Sequence, residues 1–191
     1  MDAIALLKAD HQAVADKFAA FEHLGDKAFK GKGKIVQDVI AALSVHTAIE
    51  EAILYPAARS RLDGADDMVL EALEEHHIVK WTLSELEQMM PDEERYTAKF
   101  TVLMESVRHH VSEEEKTLFP ALRKVFTKAE LEDMGEELAN AKKSAPSHPH
   151  PKSPDEPPLN ALVNALSRPL DALRDVGASV LNEARKTSRR S

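Results

Sequence analysis

Two stretches of this chain repeat one another in residue types that bind metals. His46-Thr-Ala-Ile-Glu50-Glu51-Ala-Ile-Leu54-Tyr55-Pro56 and His110-Val-Ser-Glu-Glu114-Glu115-Lys-Thr-Leu118-Phe119-Pro120 both read H-x3-E-E-x2-L-[YF]-P. A second pair precedes them: Asp10-His11-Gln-Ala-Val14 resembles Glu75-His76-His77-Ile-Val79, and the gap from His11 to His46 nearly equals that from His76 to His110. Residues four apart on an α-helix lie about 40° apart around its axis. His46 with Glu50, and His110 with Glu114, therefore project as ready chelates. The same faces are otherwise apolar: Val39, Leu43, Ile49 and Ile53 flank the first pair and Leu103, Val107 and Ala121 the second, while Ile4, Leu7, Val14 and Phe18 surround His11 and Val69, Leu73, Val79 and Leu83 surround His76. An inward carboxylate without a partner is unfavourable unless it neutralises or meets a cation. Four imidazoles and two carboxylates suit a pair of first-row metals, each ion taking two histidines while both glutamates bridge. The metal set read from this pattern is His11, His46, Glu50, His76, His110 and Glu114; the competing reading of the same residues is a buried polar network.

Neighbouring residues are weighed by the same rotation. A one-residue step turns the helix by about 100°, so His77 and His109 are expected to face a neighbour or solvent, although a small register change would exchange His77 with His76. Glu51 and Glu115 occupy equivalent rotated positions, where they could accept hydrogen bonds from the imidazoles or simply be solvated. Tyr55 lies about half a turn from His46, which predicts packing around a kink at Pro56, and its counterpart Phe119 carries no hydroxyl.

The elements that must position these groups are helical. Six glycines in 191 residues, late-clustered prolines and an Ala, Leu, Glu and Lys-rich first part favour helix. Apolar residues recur at helical spacing over about 2–24, 33–62, 66–90 and 93–125, with breaks at Gly25, Gly31–Gly33, Gly64 and Pro91. Short connections imply antiparallel neighbours. Thr127 followed by Glu130 announces a capping box and a short fifth helix to about Lys143. The fold class is all-α: an antiparallel up-down-up-down four-helix bundle over residues 1–143, including the fifth helix. A Pro/Ser/His-rich linker is expected over 144–158, with His148 and His150 solvated in it, and an amphipathic tail helix with a basic end over 159–191. The absence of cysteine excludes disulfides, thiolate zinc sites and iron–sulfur clusters, so a metal must rest on nitrogen and oxygen. No signal-like N-terminus or run of about 18 apolar residues occurs, which predicts a cytoplasmic protein. A net charge of −8 argues against a nucleic-acid partner. The tail is expected to dock on the bundle, dimerise or meet a protein partner in preference to a membrane surface.

Over residues 1–143 the chain resembles the haemerythrin-like HHE cation-binding family, on the motifs DHQAV, HTAIEEAILYP, EEHHIVK and HHVSEEEKTLFPAL taken in order. The resemblance implies a non-haem di-iron centre, two iron ions bridged by glutamate and by an oxo or hydroxo group, held by His11, His46, Glu50, His76, His110 and Glu114. Manganese or zinc would accept much of the same set. Oxygen-carrying haemerythrins have H-x3-H on the third helix, where this chain has Lys80 after His76 and Trp81 after His77, and H-x4-D on the fourth, where it has Glu115. The set is similar instead to the centres of iron-cluster repair proteins, whose cysteine-bearing domain is missing here. The implied function is binding of, or reaction with, oxygen, peroxide or nitric oxide under oxidative or nitrosative stress, with catalase-like peroxide decomposition as the enzymatic form. An iron- or oxygen-dependent sensor signalling through the tail is the alternative, and reversible oxygen carriage ranks lower.

Overall fold

The computed structural model describes residues 1–153, which form helices and turns with no strand among them. Helix α1 spans Ala3–Glu22, α2 Phe29–Arg61, α3 Ala65–Gln88, α4 residues 96–125 and α5 Lys128–Lys142. The first four make the expected up-down-up-down bundle, with α1 on α2, α2 on α3 and α3 on α4, while α5 packs back against α1 and α2. Its start carries the capping box read from the sequence: the Thr127 hydroxyl accepts from Glu130 N–H, and the Glu130 carboxylate accepts from Thr127 N–H at 2.7 Å. At the head of α1 the Asp2 carboxylate accepts from Ala5 N–H at 2.8 Å.

Helix α2 begins earlier than the sequence pattern suggests. Gly31 and Gly33 were expected to break the chain, yet both lie inside its first turns. A Cβ at Gly33 would come within 2.7 Å of Pro91 Cγ, so the glycine serves close approach of α2 to the turn before α4. By length and composition α2 could cross a membrane, but 67% of its most apolar stretch is buried inside the bundle.

Both α2 and α4 contain a wider turn, at Glu50–Leu54 and Glu114–Leu118, where hydrogen bonds run from residue i+5 back to i. Tyr55 N–H reaches Glu50 C=O and Phe119 N–H reaches Glu114 C=O. The cause is the following proline. Pro56 and Pro120 lack an N–H and their rings would strike the carbonyl four residues back, so a π-turn accommodates each without ending its helix.

The apolar core is split. One cluster includes Ile4, Leu7, Ile49, Leu54, Val69, Leu118 and Leu131; the other includes Val14, Phe18, Val39, Leu43, Val79, Leu83, Phe100 and Val107. Between them lies a layer of buried histidine, glutamate and lysine. Residues 144–153 are non-helical, and Pro146 and Pro149 are buried against the bundle beside Thr47, Ala48 and Lys80, so this stretch is packed where solvated linker was expected. The rest of the 144–158 linker and the tail expected over 159–191 lie outside the described residues.

Candidate metal centre

All six residues singled out by spacing meet in the polar layer, one or two from each helix of the bundle, and all are buried. Each hairpin supplies a histidine pair: His11 Nε2 and His46 Nε2 are 3.2 Å apart, and His76 Nε2 and His110 Nε2 are 3.1 Å apart. The glutamates lie between the pairs. Glu50 Oε2 is 3.1 Å from His46 Nε2 and 3.5 Å from His76 Nε2. Glu114 Oε2 is 3.3 Å from His11 Nε2 and 3.6 Å from His110 Nε2. Two groups of potential ligands result, His11, His46, Glu50 and Glu114 on one side and Glu50, His76 and His110 on the other, with the donor atoms of each group within 4.8 Å of one another.

A ring of carboxylates holds the histidines from behind. His11 Nδ1–H donates to Glu115 at 3.0 Å, His76 Nδ1–H to Glu51 at 3.0 Å and His110 Nδ1–H to Glu75 at 2.7 Å, while Asp10 faces His46 Nδ1 at 3.5 Å. Each acid comes from the helix preceding that of its histidine, and α4 closes the ring onto α1. Three of these acids are themselves tied to lysine: Glu51 to the buried Lys80 at 3.0 Å, Glu115 to Lys8 at 2.8 Å and Asp10 to Lys142 of α5 at 2.5 Å. In the three hydrogen-bonded pairs, those of His11, His76 and His110, this puts the proton on Nδ1 and turns the Nε2 lone pair inward.

The inner face is thus rich in unshared electron pairs. Glu50 Oε1 and Oε2 and Glu114 Oε2 are buried without a hydrogen-bond partner. Burial, with the neighbouring Glu114 charge, pushes the Glu50 carboxyl well above its usual range. Burial, with the adjacent His110, drives His76 well below the ordinary imidazole value, and burial lowers His46 too. For Glu114, burial acts upward but is outweighed by the His11 contact and the nearby imidazoles, which hold its carboxyl down. Converging lone pairs in a dry interior are what a cation relieves, so the residues present fit a metal.

Tyr55 corrects the sequence reading. It is fully buried, its hydroxyl donates to Glu114 Oε1 at 3.0 Å, and it lies 3.2 Å from His76 Nε2. The π-turn is responsible: one extra residue between Glu50 and Tyr55 brings Tyr55 onto the face of His46 and Glu50 instead of half a turn away. Burial and the Glu114 and Glu50 charges raise its pKa well above the usual phenol value, so it stays a donor. Phe119, moved in the same way, stacks on His11 with ring centres 5.7 Å apart. The other neighbours fall as rotation predicts: His77 is half-buried, and His109 is 64% exposed. His148 is paired with Glu87, and neither it nor His150 joins a ligand group among the described residues. Glu51 and Glu115, which could have been solvated, hold the inward His76 and His11. Asp10 and Glu75 were not assigned this role from the sequence, although each directly precedes a candidate ligand histidine.

A buried His/Glu layer inside an antiparallel bundle defines a class of helical cation-binding proteins. A profile of the Hemerythrin HHE cation binding domain matches residues 2–122, and the chain belongs to that family. The match ends before α5, short of the 1–143 span expected. An uncharacterized hemerythrin-like protein of Schizosaccharomyces pombe is 30% identical over 135 residues, covering 70% of this chain and 66% of that protein. A Nostoc protein named DNA nickase is 28% identical over 139 residues, covering 72% of this chain and 38% of that protein. The chain therefore spans just under two thirds of one relative and well under half of the other. Among solved structures, the hemerythrin HHE cation-binding-domain protein of Mycobacterium kansasii, a homologue of Rv2633c, is similar with a TM-score of 0.64 and 25% identity over 75% of this chain and 86% of that one.

Proposed function

We propose that the centre holds two iron ions through His11, His46, Glu50, His76, His110 and Glu114, and that it binds or reacts with a small oxidant: oxygen, peroxide or nitric oxide. The observation that carries the reading is the convergence of four Nε2 atoms on two carboxylates whose inner oxygens lack partners. Nitrogens about 3.1 Å apart can both lie about 2.1 Å from one ion. Iron follows from the family and supplies electron transfer to the oxidant.

The protein's own residues do the rest. Carboxylates behind the imidazoles fix their tautomers, and among the described residues Tyr55 offers the one hydroxyl hydrogen bonded into the layer. A cavity of about 20 Å³ beside His11, His46, His76 and His110 is walled by Val14, Leu43, Val79 and Val107. That is scarcely more than one water requires, so the space selects for molecules of two or three atoms and keeps bulk water out. A role in oxidative or nitrosative stress follows from such a ligand, and catalase-like peroxide decomposition is its catalytic form. DNA is not part of this reading, since the relative named a nickase is matched over only 38% of its length and the net charge here is −8.

The test is metal content and optical spectrum of protein purified in air, then oxygen evolution on adding peroxide, for wild type and His110→Ala. Two irons per chain, a charge-transfer band and oxygen evolution, all lost in the variant, are expected. No stoichiometric metal in the wild type overturns the reading; metal with no response to any of the three oxidants removes the reactive part.

A further inference from the structure

One side of the centre opens into a cavity of about 390 Å³ between α3 and α4. Its outer wall carries the exposed Asp67, Glu71 and Glu113, then comes the half-buried Glu75, and its inner wall is His110 and Glu114. Among the described residues lining it there is no lysine or arginine. At the mouth, the donor atoms of Glu75, His109 and Glu113 lie within 4.8 Å of one another, with His109 Nε2 at 3.7 Å from Glu75 Oε1 and 3.4 Å from Glu113 Oε1. The other oxygen of Glu75 accepts from His110 Nδ1 at 2.7 Å, so one side chain touches both the mouth group and an inner histidine. At the far end Glu114, 3% exposed, keeps Oε2 without a hydrogen-bond partner.

The opposite approach differs. A cavity of about 360 Å³ beside His11 is walled by Val14, Phe18 and Val107, and its charged lining is mixed: Lys116, Arg108 paired with Glu22, and Glu115 paired with Lys8. That mixed lining offers a cation no net attraction, whereas on the acidic side walls of one sign focus the field within the cleft.

We propose that the acidic cavity is the route by which a divalent cation enters the centre, with Glu75, His109 and Glu113 as a capture site at its mouth. The inference rests on the centre being a metal site. A hydrated ion is concentrated by Asp67, Glu71 and Glu113, exchanges water for the mouth group, and passes along Glu75 to His110 and the free oxygen of Glu114. None of the outer acids belongs to the six inner residues, so their removal changes how fast metal arrives and not how much is finally held.

The experiment is stopped-flow uptake of Co²⁺ by chelator-stripped full-length protein, followed by visible absorption, with final stoichiometry by metal analysis. The triple variant Asp67→Asn/Glu71→Gln/Glu113→Gln should load about tenfold more slowly or worse and lose most of the salt dependence of the rate, while reaching the wild-type stoichiometry. His109→Ala should slow loading as well. The control Asp133→Asn/Glu136→Gln/Glu137→Gln removes equal charge from α5 and should load at the wild-type rate. Normal stoichiometry with an unchanged rate in the first triple overturns the route, as does equal slowing in the control. Absence of stoichiometric metal in the wild type overturns the metal reading itself and the route with it.

Discussion

Replacing Glu50 by leucine should make the metal-free protein more stable. Glu50 is 0% exposed, and neither carboxylate oxygen has a hydrogen-bond partner. A buried polar group left unpaired costs about 1–3 kcal/mol, and an apolar side chain of similar volume avoids that cost. The expected gain at neutral pH is thus about 1–3 kcal/mol, roughly 2–12 °C in unfolding midpoint for a domain of this size. The gain should depend on pH in a defined direction. Burial and the Glu114 charge raise the folded-state value of Glu50 above its ordinary 4.5. The stability associated with its protonated form is therefore complete below pH 4.5 and is lost as pH climbs toward the folded value. The variant should match the wild type most closely near pH 4.5 and pull ahead toward pH 8. His76 works oppositely: its value lies below 6.5, so its contribution is present above pH 6.5 and lost as pH falls. Because Glu50 Oε2 lies 3.5 Å from His76 Nε2, the two contributions are coupled, and the Glu50 trend is read above pH 6.5, where that of His76 is complete.

The assay is urea unfolding followed by circular dichroism, on chelator-stripped protein at several pH values and again with metal. With metal at a hundredfold over its dissociation constant, the wild type should gain about 2.7 kcal/mol and the variant far less, reversing their order. A leucine variant less stable than wild type at pH 7.5 without metal would refute the reasoning. It would mean that Glu50 is a satisfied member of a polar network and that the layer makes no demand for a cation.

Three further outcomes follow from single contacts. Lys80→Met leaves the buried Glu51 charge without its lysine at 3.0 Å and should cost about 3–5 kcal/mol in urea unfolding; a loss under about 1 kcal/mol would show that Glu51 does not depend on it. Tyr55→Phe should cost no more than about 1.5 kcal/mol, since Phe119 fills the equivalent place, yet alter the optical spectrum of metal-loaded protein; an unchanged spectrum would reduce Tyr55 to packing. Gly135→Ala places a Cβ 2.2 Å from Met1 C=O and 2.9 Å from Ala3 N, both backbone, and should lower stability by about 1–3 kcal/mol; an unchanged melting temperature would show that the N-terminus yields freely.

The ligand layer was legible because burial and helical period act on the same residues. An inward face of Val, Leu and Ile interrupted by His46 and Glu50, and again by His110 and Glu114, has few explanations. Four helices with short turns then leave one topology. What could not be read was anything set by a departure from the α-helical period. Pro56 was visible as a kink, but a proline can end, bend or widen a helix, and only the third outcome carries Tyr55 to Glu114. Gly31 and Gly33 misled for a related reason: a glycine needed for close approach looks like one needed for a turn. The carboxylate ring was written beside every candidate ligand histidine, in D-H, E-H and twice in H-x3-E-E, but its meaning depends on which helix lies next door. Asp10 does nothing for His11; it faces His46 across the hairpin.

The two halves of the repeat are alike in their ligands and unlike in what surrounds them. Around His11, the supporting Glu115 is 27% exposed and bound to a half-exposed Lys8, and the ring at the π-turn is the inert Phe119. Around His76, the supporting Glu51 is 5% exposed and bound to the buried Lys80, and the ring at the π-turn is Tyr55 with its hydroxyl on Glu114. The acidic cavity also opens on this second half, at His110. A site that merely stapled four helices together would gain nothing from a buried ammonium, a phenol and an open approach gathered on one side. Burying Lys80 and Glu51 together brings little net stability compared with apolar residues, so their place is better explained by holding His76 in one orientation. The duplicated hairpin supplies two pairs of inward histidines, and Lys80 and Tyr55, which stand where the other half has Ala15 and Phe119, make the surroundings of His76 and His110 chemically distinct from those of His11 and His46.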